Sequence, residues 1–470
     1  MMTTVNPAIF RAYDIRGVVD RDLSEEVYRT LGRASGTFFR QHERRRIVVA
    51  RDARLTSPAY AAALIEGLRQ SGCDVVDIGM APTPLMYFAV SFLRADGGTV
   101  VTASHNPPHF NGLKLRLSDP IYGGTPLSSD QIQEIGRIAA AGSFASGKGG
   151  YEQYDAVDDY VRDVVRHIAL KRRPKVVIDG GNGVAGPLGV RTLEAIGCDV
   201  VPLFIEPDGT FPNHHPDPLK EENLQDLIRT VRETGANMGI GLDGDGDRLG
   251  VVDGNGEIVF ADRYLIVLAR QVLAQGPAPI VFDVKCSTVL IDAIRAFGGT
   301  PVMWRTGYSN LSAKMRETGA PLAGELSGHV FGAVEHHYHD DGIFAGCMLL
   351  DALEKSGQTL AEALAPFPPL PSLSEGRLPF DEETKFKAIE FVRDYFAARY
   401  PVIDVDGVRV DFGDGWGILR ASNTEPAITT RFEARTVERV YEIRDTMIGK
   451  LREFASADHG TSAVGRNERG

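Results

Sequence analysis

Residues 238–248 read Met-Gly-Ile-Gly-Leu-Asp-Gly-Asp-Gly-Asp-Arg, and the reading of this stretch decides the fold. Met238, Ile240 and Leu242 predict a buried strand running straight into a loop where Asp243, Asp245 and Asp247 alternate with Gly244 and Gly246. Three carboxylates at one strand end repel each other unless a cation joins them, and hard oxygen donors suit Mg²⁺ or Ca²⁺ better than zinc. An EF-hand starting at Asp243 would need Gly at its sixth position and Glu at its twelfth; Arg248 and Gly254 stand there, so that reading fails. What remains is a short metal loop with an arginine attached. With one divalent ion its charge is about neutral, and a phosphate oxygen is a natural further ligand. The plain alternative is a solvated acidic turn ahead of a hairpin at Asp253-Gly-Asn-Gly256.

Outward from this loop the chain repeats a strand–helix–strand grammar. Ile47–Asp52, a helical run over 57–71 and Gly72-Cys-Asp-Val-Val76 are echoed by Lys175–Asp179, a helix to Ile196 and Gly197-Cys-Asp-Val-Val201. A looser echo follows at Pro279–Asp283, a helix to Phe297 and Gly298–Trp304. A repeat of about 100 to 125 residues is far too long for a solenoid and predicts three related α/β domains with mixed sheets. In such sheets, chemistry gathers where strands stop. Beyond the proline cluster Ala365-Pro-Phe-Pro-Pro-Leu-Pro-Ser372, a helix over 385–400, alternation over 402–410, strands at 416–422 and 428–433 and a helix over 437–454 predict a smaller α+β domain. The expected divisions are 1–150, 151–255, 256–368 and 369–455, around a central cleft, with 456–470 a disordered tail.

The chain's 470 residues suit about three or four domains. A net charge of −12 argues against nucleic acid or an anionic membrane as partner, while leaving room for an anionic substrate in a locally basic cleft. Cys73, Cys198, Cys286 and Cys347 are widely spaced and read as reduced thiols. Met1–Arg11 shows no secretory pattern and no stretch has the roughly 18 apolar residues of a membrane helix, so a cytoplasmic protein is expected.

Four further stretches carry chemistry. Gly98–Pro108 predicts a strand ending at Ser104 with His105 beside it, although neighbours in sequence rarely face each other and an Asn-Pro turn explains the segment as well. Lys114, read alone, is a surface lysine. In Gly324-Glu-Leu-Ser-Gly-His329, an extended backbone would direct Glu325, Ser327 and His329 to one side, suited to paired sugar hydroxyls; the alternative is a polar edge strand. His336-His-Tyr-His-Asp-Asp341 invites a metal reading, but its spacing matches no usual zinc pattern and a polar loop is expected. Arg420-Ala-Ser-Asn-Thr-Glu-Pro426 offers a guanidinium, two hydroxyls, an amide and backbone N–H groups, a phosphate cradle unless it is a plain turn.

Together with Phe10-Arg-Ala-Tyr-Asp-Ile-Arg-Gly17, these loops resemble, in order and over nearly the whole chain, the α-D-phosphohexomutase superfamily and its bacterial phosphomannomutase/phosphoglucomutase group. The resemblance implies three α/β domains and a smaller fourth. It also implies interconversion of glucose or mannose 1- and 6-phosphates through phosphoserine and a hexose 1,6-bisphosphate, with Mg²⁺ as metal. Ser104 matches the phosphoryl carrier, and Asp243, Asp245 and Asp247 match the Mg²⁺ ligands, joined by a phosphoserine oxygen. Arg248 matches the arginine beside the metal. Lys114, Arg16 and His329, with His105, resemble groups that move protons or steady charge. Glu325 and Ser327 match sugar-hydroxyl readers; Arg420, Ser422, Asn423 and Thr424 match the loop holding the unreacting phosphate. Tyr13, Lys285 and Gly307 lie in matching substrate-binding segments. One departure is Tyr308, where the group usually shows histidine; a phenol cannot be cationic near neutral pH. Small hexose phosphates are the expected partners, and the assembly a monomer or homodimer. Alternatives are a phosphoglucosamine mutase, a metal-dependent sugar phosphatase working through phosphoserine, or a silent sugar-phosphate sensor.

Overall fold

The computed structural model describes residues 5–119, 121–422 and 426–458. Among these, the strands form four sheets. The first runs in the order Ile15–Val18, Phe110–Leu117, Gly97–Val101, Arg46–Arg51, Asp74–Met80, Tyr151–Gln153. Its centre is parallel and its Phe110–Leu117 side antiparallel, so the sheet is mixed. The second has the order Ile258–Val259, Leu249–Asp253, Met238–Leu242, Lys175–Asp179, Asp199–Leu203, and the third Thr300–Trp304, Pro279–Asp283, Leu322–Gly324, Val330–Gly332. The fourth is antiparallel where its pairings are defined: Ser372–Pro379, Ala427–Ala434, Gly415–Ala421, Val408–Asp411, Val402–Ile403.

The glycine grammar of the repeat has a direct cause. Gly72, Gly197 and Gly298 follow the three crossover helices at φ of 84°, 107° and 80°, a left-handed turn that ends each helix and releases the next strand. In the second sheet, Met238–Leu242 pairs parallel with Lys175–Asp179 and antiparallel with Leu249–Asp253, Leu242 opposite Leu249. The aspartate loop is therefore itself the tip of a hairpin. The Asp253–Gly256 turn comes one strand later and leads into Ile258–Val259.

By compactness the chain forms two units: 1–282 with 293–302 and 307–366, and 283–292 with 303–306 and 367–470. The larger unit holds a core that includes Tyr28, Phe38, Phe39, Ile47, Leu64 and Leu113. In the smaller, Val392, Phe396, Val408, Leu419, Phe432 and Met447 pack the fourth sheet against helices Lys385–Ala397 and Val437–Asp458. The alternating run over 402–410 is two short antiparallel strands, broken where Gly407 turns at φ 86°. The last helix runs through Asp458, three residues into the expected tail; residues 459–470 lie outside the described residues. Among the described residues no helix is long and apolar enough to cross a membrane.

Candidate active site

The larger unit brings Ser104 and the aspartate loop together. The Ser104 hydroxyl donates to Asp243 Oδ2 at 2.6 Å. The preceding strand stops at Val101, and Ser104 stands on the loop after it with φ 50°, a left-handed conformation that a non-glycine residue holds only when its surroundings impose it. Arg54 supplies that constraint. Its buried guanidinium donates to the carbonyls of Ser104, Asn106, Pro107 and Phe110 at 2.6–3.0 Å, and Asp52 fixes it at 3.1 Å. Arg16 reaches Asn106 Oδ1 at 2.5 Å and pairs with Asp14. Contrary to the expectation for sequence neighbours, His105 Nδ1 lies 3.1 Å from Ser104 Oγ, and burial pushes this ring well below the usual histidine range.

Asp243, Asp245 and Asp247 are fully buried, and one oxygen from each falls within 4.8 Å of the others. Solvated acidic turns do not look like this. The loop is fastened by four bonds from three segments: Thr83 N to Asp245 O at 2.9 Å, Thr83 Oγ1 to Asp245 Oδ2 at 2.5 Å, Val184 N to Gly244 O at 3.1 Å and Gly342 N to Gly246 O at 3.1 Å. At Gly244 a Cβ would come within 2.5 Å of the Ser104 carbonyl oxygen, so glycine there is what lets the two loops meet.

Lys114 corrects its surface reading: it is 3% exposed, and its ammonium donates to Asp245 Oδ2 at 2.7 Å and to Asp247. Burial alone would lower the lysine's pKa, but the two carboxylates outweigh it and raise it well above normal. Burial, then Asp245 and Asp247, push the Asp243 carboxyl well above the carboxylate range; Asp247 is raised by burial and Asp245. At Asp245 burial pulls upward too, yet Lys114 prevails and the carboxyl is lowered. Among the described residues, Oδ1 of Asp245 and Oδ1 of Asp247 are buried with no hydrogen-bond partner. Two orphaned oxygens beside Asp243 form a hard donor set that fits a divalent ion.

His329 closes one side. Its Nε2 accepts from Arg248 Nε at 3.1 Å, and its Nδ1 faces Asp340 Oδ2 at 2.8 Å and Asp247 Oδ1 at 3.7 Å. Burial lowers the ring's pKa, but Asp247 and the Asp340 hydrogen bond outweigh it, and the net shift is upward. The extended reading of 325–329 is not what the chain does. Gly328, at φ 87°, closes a turn in which Glu325 N donates to His329 O at 2.9 Å. Glu325 and Ser327 still meet, hydroxyl to carboxylate, and Glu325 also accepts from Gly307 N. Tyr308 donates its hydroxyl to the Tyr13 carbonyl at 2.8 Å and so is committed to the backbone. A Cβ at Gly307 would strike the Tyr13 ring at 2.8 Å.

The smaller unit carries the other expected residues. Lys285, Arg420 and Arg431 line a recess with Glu375, Thr429 and Thr430. Lys285 Nζ lies 3.0 Å from Glu375, and Arg420 Nε lies 2.7 Å from Asp406. Ser422 is anchored by Lys385 Nζ, 2.5 Å from its carbonyl; Asn423 and Thr424 lie outside the described residues.

Arg54 and Thr83 are site residues that sequence reasoning passed over, and Asp340 was read only as part of a polar loop. Arg54 had a signal, since it stands two residues after the charged strand end Asp52; Thr83 and Asp340 join only through tertiary contact.

Four successive domain descriptions of the phosphoglucomutase/phosphomannomutase family match the chain: alpha/beta/alpha domain I over residues 7–146, domain II over 158–256, domain III over 260–370 and the C-terminal domain over 376–450. The chain belongs to this family. It is 43% identical to the phosphomannomutase/phosphoglucomutase of Pseudomonas aeruginosa over 456 residues, 97% of each chain. It is 38% identical to the phosphoglucomutase of Neisseria meningitidis serogroup A, over 94% of this chain and 96% of the relative. The X-ray structure of a phosphoglucomutase/phosphomannomutase family protein from Burkholderia thailandensis superposes with a TM-score of 0.90 at 44% identity, covering 96% of this chain and 98% of that one.

Proposed function

We propose that this chain is a Mg²⁺-dependent phosphohexomutase, an intramolecular phosphotransferase interconverting the 1- and 6-phosphates of glucose, mannose or both. The observation that carries the reading is the Ser104 hydroxyl set 2.6 Å from Asp243 inside a buried carboxylate cluster. A bound Mg²⁺, held by Asp243, Asp245, Asp247 and an oxygen on Ser104, would neutralise charge on the transferring phosphoryl group. Asp243 is placed to orient the serine oxygen. The phosphoryl group passes from phosphorylated Ser104 to the free sugar hydroxyl: its bond to the serine oxygen breaks as the bond to the sugar oxygen forms, the sugar proton goes to a base and the serine oxygen takes up a proton; the hexose 1,6-bisphosphate turns over and returns its other phosphoryl group to Ser104 by the reverse steps. Arg248, held against His329, and Lys114 and Arg16 near the serine loop supply positive charge to the phosphoryl oxygens.

His329 is drawn both ways: accepting from Arg248 needs a neutral Nε2, while Asp340 and Asp247 favour protonation, a poise suited to moving a proton. Tyr13, Glu325 and Ser327, with Gly307 and Tyr308 behind them, are assigned to the sugar. Lys285, Arg420, Ser422, Asn423 and Thr424 are assigned to the unreacting phosphate. Buried cysteines that form no disulfide among the described residues accord with a cytoplasmic enzyme acting on free hexose phosphates.

The test supplies Mg²⁺, a trace of glucose 1,6-bisphosphate and, separately, glucose, mannose and glucosamine phosphates. Isomer interconversion is expected with glucose or mannose. Release of inorganic phosphate alone would make it a phosphatase, turnover of glucosamine phosphate alone a phosphoglucosamine mutase, and no reaction a sensor.

A further inference from the structure

The histidine-rich stretch 336–341, expected as a polar loop, is largely interior: His337, His339 and Asp341 are 0%, 4% and 1% exposed. They stand at every second residue along a loop that bends at His339, is bridged to Phe331 at Asp340 and is extended at Asp341. His337 Nδ1 and His339 Nε2 each lie 3.9 Å from the same oxygen, Asp341 Oδ2. Among the described residues both nitrogens are buried without a hydrogen-bond partner. Two imidazole nitrogens left bare in a protein interior are costly, and a cation held between them and Asp341 would remove that cost.

We propose that His337, His339 and Asp341 bind a first-row transition dication, Zn²⁺ being the natural occupant. The donor set, two imidazoles and one carboxylate, suits zinc and excludes Mg²⁺ and Ca²⁺, which prefer oxygen throughout. His337 and Asp341 are already oriented from behind. His337 places its Nε2 3.1 Å from Asp163 Oδ2, so the N–H sits there and the Nδ1 lone pair faces inward. Asp341 Oδ2 accepts from Tyr160 at 2.8 Å, and its Oδ1 caps the following helix by accepting from Phe344 N at 2.9 Å. Outer partners that fix tautomer and orientation are what ligating histidines and carboxylates carry. Bonds of about 2.0–2.1 Å put tetrahedral ligand atoms about 3.4 Å apart, so each nitrogen need approach Asp341 Oδ2 by only about half an ångström.

The site is separate in its ligands from the aspartate cluster. The residue between, Asp340, faces His329 at 2.8 Å, so an ion here would set the backbone from which Asp340 reaches that ring.

Chelator-stripped full-length protein in millimolar Mg²⁺, given Zn²⁺ and desalted, is expected to retain one equivalent per chain and to melt several degrees higher. Zinc K-edge X-ray absorption should show two imidazoles. His339→Phe should lose the retained zinc, and Asp247→Asn should keep it. No retained zinc, an all-oxygen shell, retention unchanged in His339→Phe or retention lost in Asp247→Asn would each overturn the proposal. A single imidazole would as well, placing the ion instead at the neighbouring Asp247, His329 and Asp340. Should His339→Phe fail to fold, the absorption spectrum of the unaltered protein still decides.

Discussion

The two units handle charge in opposite ways. The larger buries three carboxylates around one lysine and holds them by backbone bonds from distant segments; the smaller lines a recess with Lys285, Arg420 and Arg431, set against Glu375 and Asp406. An acidic, immobilised cluster is a place to gather a cation and align a reacting group; a cationic recess is a place to grip an anion. On the proposed function, chemistry belongs to the larger unit and affinity to the smaller. Kinetic constants can break that assignment, because loss of a reacting group lowers kcat while loss of a uniform grip raises KM.

The largest effect should come from Ser104→Ala. With the carrier oxygen gone, interconversion should fall by about a thousandfold or more, since no covalent route remains. A variant with near-normal turnover would remove Ser104 from the mechanism and the larger unit from its role. Next is Arg54→Met, which takes away the donors to four carbonyls and leaves Asp52 buried without its cation. Stability should drop by about 3 kcal/mol or more, read by denaturant unfolding. Activity at a temperature where the variant stays folded should fall as well, because the strained backbone at Ser104 loses its brace.

How much of this was legible follows from where the information sits. The aspartate loop could be read because its donors are contiguous and a strand delivers them. The crossovers could be read because glycine at the helix ends leaves a local mark. Lys114 could not: its strand, Phe110–Leu117, is covered on both faces by tertiary packing, so a charge that looks like surface in sequence is interior. Alternation misled at 325–329, where Gly328 turns the chain, and nothing local at 337–341 marks His337, His339 and Asp341 as buried side chains of that loop. Tyr308 was visible as a departure, but that its hydroxyl is spent on the Tyr13 carbonyl was not.

A smaller effect tests the other half of the comparison. Arg420→Ala should raise KM for hexose phosphates by about 10- to 100-fold, about 1.4–2.7 kcal/mol of a charge-assisted contact, and change kcat much less. Equal loss in kcat and kcat/KM would mean that the smaller unit also acts on the reacting group, and the division of labour would fail.

The smallest effect marks what in the larger unit lies outside the chemistry. His214 Nε2 is 3.0 Å from Asp179 Oδ2; burial lowers the ring's pKa, but the bond and charge of Asp179 outweigh it, and the net shift is upward. A histidine whose folded pKa is raised adds stability that is fully present below the unfolded value, about 6.5, and is lost as pH climbs through the folded value. The melting-temperature gap between wild type and His214→Gln should therefore be widest below pH 6.5 and narrow toward pH 9, by a few degrees at most because the ring is only partly shielded. Turnover at fixed pH should hardly change. A gap that widened with rising pH would mean that the ring is neutral when paired, and that the ionic part of its contact with Asp179 is absent from the folded protein.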